Sequence, residues 1–166
     1  MALRNIVTVG DSVLTKVSRP VVNFDKRLHT LLDDMADTLL DAGGVGLAAP
    51  QVGILRRAVL VDTGDDCDGI IELINPEILE TKGTQTGLEG CLSVPGEYGI
   101  VTRPEYVKVK AQDRYGEWFE AEGEGLIARC FCHEIAHLEG QLYTEVADRM
   151  LTKEELEQLT EEDDDE

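Results

Sequence analysis

The chain has 166 residues, and its 42% hydrophobic content suffices for one domain with its own core. A formal net charge of −19 leaves few cations to neutralise phosphates, which argues against a nucleic-acid-binding surface. No apolar run approaches the ~20 residues of a membrane helix, so we expect a soluble cytoplasmic protein. Because the cytoplasm is reducing, the four cysteines of the chain should remain thiols.

The N-terminal part of the chain predicts an extended arm followed by one helix. Residues 1–22 show no periodicity and are interrupted by glycine and proline, as in an arm that lies on the surface. We predict a helix with Asn23 as its N-cap and the pair Gly43-Gly44 as its end. Apolar residues at i, i+3, i+4, i+7 and i+11 predict a buried stripe, which comprises Leu28, Leu31, Leu32, Met35 and Leu39.

Short β-branched runs bounded by turn residues predict strands in the middle of the chain. The predicted strands are 57–62, 69–75 and 78–82, and a hairpin of 106–111 with 118–121. The acidic segment 63–68, which contains Cys67, is predicted to be an exposed loop. Near the C-terminus, Thr152 and Glu155 match a capping box that predicts a short acidic helix, and the acids of 161–166 predict a disordered tail.

Two short motifs contain groups that are suited to chemistry. A small-residue loop, G-V-G-L-A-A-P-Q, ends at Gln51, and the sequence E-G-C-L-S carries Cys91. The loop glycines permit close backbone approaches, and the amide of Gln51 can donate to a developing oxyanion. Each motif also has an ordinary interpretation: a helix-to-strand turn for the loop, and a small buried side chain for Cys91. The residues alone leave both alternatives open.

A third motif, H-E-x-x-H, lies on a helix predicted to begin near Gly125 and to end at Gly140. Residues four apart on a helix face the same way, so His133 and His137 can offer imidazole nitrogens to one metal ion. Glu134 lies about 100° round the helix from His133, where its carboxylate can take a proton from water beside the ion. The competing interpretation is a pair of histidines that face the core or the solvent.

In this order, the three motifs resemble those of peptide deformylase, whose patterns are G-x-G-L-A-A-x-Q, E-G-C-L-S and H-E-x-D-H-L. The resemblance extends over nearly the whole chain, from Asp11 to Met150. It implies an α+β fold of mostly antiparallel strands around a central metal-binding helix, with an N-terminal amphipathic helix. One catalytic domain should span residues 1–160. The sequence departs from the family at Ala136, where the pattern has Asp, and at Cys132, where it has Gln.

The resemblance implies a metal centre and a base. Cys91, His133 and His137 correspond to the metal ligands of the family, with one divalent ion per chain. Iron(II) is the metal that the resemblance favours, and zinc or nickel also suits one thiolate with two imidazoles. Glu134 corresponds to the general base that moves the proton.

The resemblance also implies the substrate, the N-formyl group of nascent N-formylmethionyl peptides, which would be released as formate. A transient encounter with the ribosome follows, and docking to its RNA would need a local basic patch. The Gln51 amide and the Leu92 N–H correspond to the oxyanion donors. Gly44, Val45, Gly46 and Gly90 correspond to the residues that lie along the peptide. Ile100, Cys130 and His133 are our candidates for an apolar methionine pocket, and we predict that Arg103 pairs with Glu89 behind the ligands.

Three functions remain open at the level of sequence. They are an active deformylase, a metallopeptidase that cuts ordinary peptide bonds, and an inactive relative that binds metal or formyl peptides without turnover. Cys91 and the other two motifs disfavour the peptidase. Only the departures at Ala136 and Cys132 support the inactive relative. Every implied metal ligand is intact, which argues against it. We therefore favour the active enzyme.

Overall fold

A computed structural model describes residues 2–62 and 69–164, with only the backbone described for 160–164. Within these ranges the chain forms the predicted α+β fold. The helices are α1 (Lys26–Ala42), α2 (Leu126–Leu138) and α3 (Lys153–Asp164). The strands are β1 (Gly46–Ala48), β2 (Ala58–Asp62), β3 (Ile70–Lys82), β4 (Gln85–Cys91), β5 (Val94–Arg103), β6 (Tyr106–Gln112), β7 (Trp118–Glu124) and β8 (Arg149–Met150). Short 3₁₀ helices lie at Ser12–Thr15, Ala49–Val52 and Tyr143–Glu145.

The strands form two antiparallel sheets. A five-stranded sheet has the order β1-β2-β3-β6-β7, and a three-stranded sheet has the order β4-β5-β8. The predicted hairpin is confirmed as β6 and β7, which pair from Tyr106 with Glu124 to Gln112 with Trp118. The three-stranded sheet was not predicted as a unit, although it carries the E-G-C-L-S motif at the end of β4.

The segments 69–75 and 78–82 form one long strand, β3, so the prediction of two separate strands is wrong. Pro76 has no N–H to donate, and the register between β3 and β6 shifts at this point. Asn75 adopts a left-handed conformation with φ 52° beside the proline. The resulting bulge accommodates the proline without ending the strand.

Helix α1 begins after Asp25, so the predicted N-cap at Asn23 is wrong. The side chain of Asp25 accepts a hydrogen bond from the Leu28 N–H at 3.2 Å, and aspartate caps a helix as well as asparagine does. Gly43, with φ 70°, ends the helix as predicted. The five residues of the predicted stripe are all buried, and they pack against β2 and β3 in one core cluster.

Helix α2 lies across the five-stranded sheet. It begins after Gly125, as predicted, and ends at Leu138, shortly before the predicted end at Gly140. Phe131 and Ile135 share a core cluster with residues of β2, β3 and β6. The H-E-x-x-H motif occupies the last turns of this buried helix, whose first residue, Leu126, is in contrast 60% exposed.

Helix α3 has the predicted capping box. The Thr152 Oγ1 accepts from the Glu155 N–H at 3.2 Å, and the Glu155 carboxylate accepts from the Thr152 N–H at 3.0 Å. The helix continues to Asp164. The predicted disorder of the acidic tail, residues 161–166, stays a prediction. Residues 165–166 and Cys67 lie outside the described residues. No helix in the described ranges has the length and apolarity needed to cross a bilayer.

Candidate active site

Three side chains with metal-binding atoms meet where the three-stranded sheet approaches α2. Cys91 stands at the end of β4, and His133 and His137 lie one turn apart on α2. One ligand atom from each lies within 4.8 Å of the others, and the Cys91 Sγ is 3.4 Å from the His137 Nε2. The fold therefore brings together residues that are 42 positions apart, a proximity that sequence spacing could not predict.

The chemistry of these donors fits a divalent metal ion. Burial lowers the pKa of His137 to about 3, which keeps this imidazole neutral and able to ligate. The Nδ1 of His133 lies 2.5 Å from a carboxylate oxygen of Glu89, which leaves its Nε2 for a ligand. Burial lowers the pKa of His133, but the Glu134 carboxylate and the hydrogen bonds with Cys91 and Glu89 outweigh it and raise the pKa to about 10, so a metal ion that binds there displaces a proton. One thiolate and two deprotonated imidazoles form a donor set for zinc, iron or nickel, with a further position open for water or substrate.

Glu134 lies beside these donors and is 3% exposed. Its Oε1 has no hydrogen-bond partner among the described residues, so the carboxylate can serve a bound molecule. Burial raises the pKa of Glu134 to about 7, the range in which a carboxyl group both accepts and returns protons efficiently. A Cβ at Gly46 would lie 2.5 Å from the Glu134 Oε2, so only glycine lets β1 pass this close.

The side-chain amide of Gln51 points toward Cys91. Its oxygen accepts from the Ala48 N–H at 2.9 Å, and its nitrogen lies 3.1 Å from the Ser93 Oγ and 3.5 Å from the Cys91 Sγ. These contacts fix the amide with its N–H groups toward Cys91 and Ser93. Leu92 follows Cys91 in the β4–β5 turn, close to Gly44. Ser93 was not singled out from the sequence, because nothing in its own pattern distinguishes it from a turn residue.

Behind His133 lies a buried network centred on Glu89. Arg103 donates two hydrogen bonds to the carboxylate, at 3.2 and 2.7 Å, so the pair predicted from the sequence is present. Arg129 donates a further one at 2.7 Å and was missed, because a lone arginine on a helix usually faces solvent. Burial raises the pKa of Glu89, but hydrogen bonds from His133 and Arg103 outweigh it and lower the pKa to about 2. The charged carboxylate thereby orients His133.

A cleft of about 510 Å³ opens beside these groups. It is lined by all four of the predicted peptide-binding residues, Gly44, Val45, Gly46 and Gly90, and also by Cys130, His133 and Glu134. Ile100, the remaining candidate for the methionine pocket, is not among the lining residues, whereas Leu88, its partner across the β4–β5 ladder, is. At Gly90 a Cβ would lie 2.6 Å from the Tyr98 ring, so this wall requires glycine.

The chain matches the family model for polypeptide deformylase over residues 3–153. It belongs to this family. Peptide deformylase of Lachnoclostridium phytofermentans is 61% identical over 145 residues, which cover 87% of this chain and 89% of that protein. Peptide deformylase 1 of Bacillus subtilis is 53% identical, with 94% and 97% covered. The crystal structure of a Legionella pneumophila peptide deformylase superposes with a TM-score of 0.84, at 42% identity and 99% coverage of both chains.

Polypeptide deformylases are metal-dependent hydrolases that remove the N-formyl group from nascent polypeptides. The enzyme class and the α+β fold implied by the three motifs are therefore confirmed. The trio of Cys91, His133 and His137 provides a site where such an enzyme can hold its metal ion.

The N-terminal arm joins the two segments that carry Gln51 and Leu92, the predicted oxyanion donors. The Val7 N–H donates to the Gln51 carbonyl, and the Val9 N–H donates to the Ser93 carbonyl, both at 2.8 Å. We expect Val9→Pro, which removes one donor, to lower kcat on the order of tenfold by misplacing the donors, with metal content unchanged. Val9→Ala keeps the N–H and is the control, since the Val9 side chain is 54% exposed. Steady-state formate release and elemental analysis test this, and equal kcat for both variants would contradict it.

Ala136 stands where the family pattern has Asp, and two buried guanidinium groups, of Arg103 and Arg129, share the single carboxylate of Glu89. We expect Ala136→Asp to raise the melting temperature or the retention of metal, because an added carboxylate offsets this positive charge, by a few kcal/mol at most. Ala136→Asn is the isosteric control. The parental protein should already release formate. A lower melting temperature for Ala136→Asp than for Ala136→Asn would show that neighbours such as Cys132 have repacked around the alanine.

Proposed function

We propose that this chain hydrolyses the N-formyl group of N-terminal formylmethionine, with Cys91, His133 and His137 as the metal ligands. The observation that carries the proposal is the position of the buried Glu134 carboxylate, whose Oε1 has no hydrogen-bond partner in the described part of the chain, beside three converging metal-binding atoms. The amide of Gln51, fixed from the opposite segment, supports the same assignment. One ion per chain is expected from one such trio. Iron(II) is our proposal for the metal, and zinc or nickel suits the same donors.

The bound ion supplies Lewis acidity and lowers the pKa of water to roughly 7. Glu134 takes a proton from the attacking water while the water oxygen bonds to the formyl carbon. The Gln51 amide and the Leu92 N–H donate to the oxyanion that develops on the former formyl oxygen. Glu134 then returns the proton to the nitrogen as the carbon–nitrogen bond breaks. Formate and a free amino terminus leave the cleft.

The peptide that carries the formyl group is proposed to lie along β1. This strand is the edge of the five-stranded sheet, so Gly44, Val45 and Gly46 can pair with an extended chain as an added strand. Gly90 keeps the opposite wall clear, and Cys130 and His133 contribute to the methionine pocket. The catalytic domain is proposed to span residues 1–160.

The nature of the substrate places the reaction at newly made polypeptides. We therefore propose that the protein works in the cytoplasm and meets the ribosome transiently. Its net charge of −19 disfavours close approach to ribosomal RNA outside a locally basic surface.

The test is formate release from a formyl-methionyl tripeptide by protein prepared anaerobically with iron, zinc or nickel. An unblocked tripeptide of the same sequence is the control. We expect formate from the first and no cleavage of the second. Cleavage of internal peptide bonds would indicate a metallopeptidase instead. Metal binding without formate under all three metals would indicate an inactive relative and would overturn the proposal.

A further inference from the structure

Some lysine and arginine side chains of this acidic protein form no ion pair among the described residues, and most of these lie close together. Acidic residues number 34 and Lys plus Arg only 15. Among the described residues nine of these cations form ion pairs, and six form none: Lys16, Arg19, Lys26, Arg27, Arg56 and Lys153. With acids in such excess, unpaired cations are unexpected, yet four of these six line two neighbouring grooves.

We call these two grooves, of about 450 and 500 Å³, the basic grooves. The first lies between residues 19–23 and residues 53–56, and the second lies between residues 53–56 and the start of α1. Both are lined by Ile54 and Arg56, so they form one continuous surface. Hydrogen bonds from the Arg19 N–H to the Leu55 carbonyl (3.0 Å) and from the Arg57 N–H to the Arg19 carbonyl (2.9 Å) fix the walls.

The start of α1 adds two cations to the second basic groove. Lys26 and Arg27 occupy the first turn of α1, where the positive end of the macrodipole disfavours cations, and the Asp25 carboxylate caps the helix by accepting from the Leu28 N–H. Because this capping carboxylate already offsets part of the dipole, a bound anion would be stabilised mainly by the Lys26 and Arg27 side chains.

The floor of the basic grooves is aliphatic. Leu31 and Val21 are buried there, Ile54 is half-buried and Val22 is 78% exposed. No aromatic side chain lines either groove within the described residues, so bases have no ring on which to stack. An acidic peptide with aliphatic side chains fits this combination better than a nucleic acid does.

The chain itself contains such a peptide. Residues 151–166 carry nine acidic residues and one lysine, together with Leu151, Leu156 and Leu159. The described part of this segment includes α3, and none of its residues lines either basic groove of the same chain. We propose that the basic grooves bind the C-terminal segment, residues 151–166, of a second copy of this chain.

The test uses a fluorescent peptide of residues 151–166 titrated with the full chain, read by anisotropy, and sedimentation velocity of the full chain over a concentration series. We expect the peptide to bind, the chain to self-associate, and both effects to weaken as salt is added. Lys26→Glu combined with Arg56→Glu should weaken peptide binding roughly tenfold. A chain that ends at Thr160 should associate less with itself and still bind the peptide.

Lys16→Glu is the matched control, because Lys16 is an exposed, unpaired cation outside the grooves, and it should leave binding unchanged. Glutamate at position 26 is favoured in the first turn of α1, so a loss of binding will not reflect unfolding of this helix. Formate release by the variant should be unaffected. Absence of both peptide binding and self-association overturns the proposal. A loss of binding in Lys16→Glu as large as that in the Lys26→Glu, Arg56→Glu double variant also overturns it. The proposal is also overturned if an RNA of similar length binds in a Lys26-dependent manner and the peptide does not bind.

Discussion

Replacing Glu134 with alanine should leave the metal in place and reduce formate release by about 10²–10⁴-fold, the usual contribution of a general acid–base group. The carboxylate is not one of the three converging ligand groups, so removing it takes away the proton acceptor and spares the metal donors. Because Glu134 is 3% exposed and its Oε1 has no partner among the described residues, its truncation breaks no described hydrogen bond of that atom. Formate release at saturating substrate and metal content by elemental analysis are the two measurements.

Glu139→Ala is the control for the loss of a carboxylate from the end of the same helix. Glu139 pairs with Arg57 at the surface, away from the three donors, so the control should keep nearly full turnover. Glu134→Gln keeps the shape and removes the base, and it should be as slow as Glu134→Ala. A Glu134→Gln variant with near-parental turnover would remove Glu134 from the proposed proton transfer.

Replacing Cys91 with alanine should abolish stable metal binding. The thiolate supplies one of three donors, and the loss should exceed the about 10–100-fold in metal affinity that follows when only a residue behind the ligands is changed. We expect less than one metal per chain after gel filtration, and formate release that falls in proportion. Elemental analysis with a competing chelator gives the affinity directly.

Cys132→Ala is the matched control, because Cys132 is a half-buried thiol on α2 outside the metal-binding trio. That variant should retain one metal per chain. Full metal occupancy in Cys91→Ala would show that this thiol is not a ligand, whatever the effect on turnover.

Local patterns in the sequence predicted the elements whose stability is local. The stripe of α1 is buried as its 3.6-residue period requires, and the capping box at Thr152 and Glu155 forms as its spacing predicts. The three motifs also predicted the family, and their residues meet at one cleft. The motifs could not predict the distance between Cys91 and the two histidines, because Cys91 reaches them only through the packing of one sheet against α2.

The residues that were missed act through partners that are remote in sequence. Arg129 is held by a hydrogen bond to Glu89, which lies 40 positions away in the sequence. Ser93 is held by a hydrogen bond with Gln51, which lies 42 positions away. The sequence predicts separate strands at 69–75 and 78–82, because turn residues usually bound a strand. A bulge at Asn75 takes up the irregularity instead, and no short-range pattern distinguishes these two outcomes.

The donors of the metal-binding trio come from separate halves of the fold, with Cys91 on the three-stranded sheet and the histidines on the helix that covers the five-stranded sheet. The three-stranded sheet has a small core of its own, centred on Val94, Val101 and Tyr143. An ion held by these three residues would therefore cross-link the two halves, and its binding energy would add to their cohesion. Chelation should accelerate amide hydrogen exchange in β4 and β5 well before it does so in β2 and β3. The metal ion would then govern the lifetime of the folded protein as well as its chemistry.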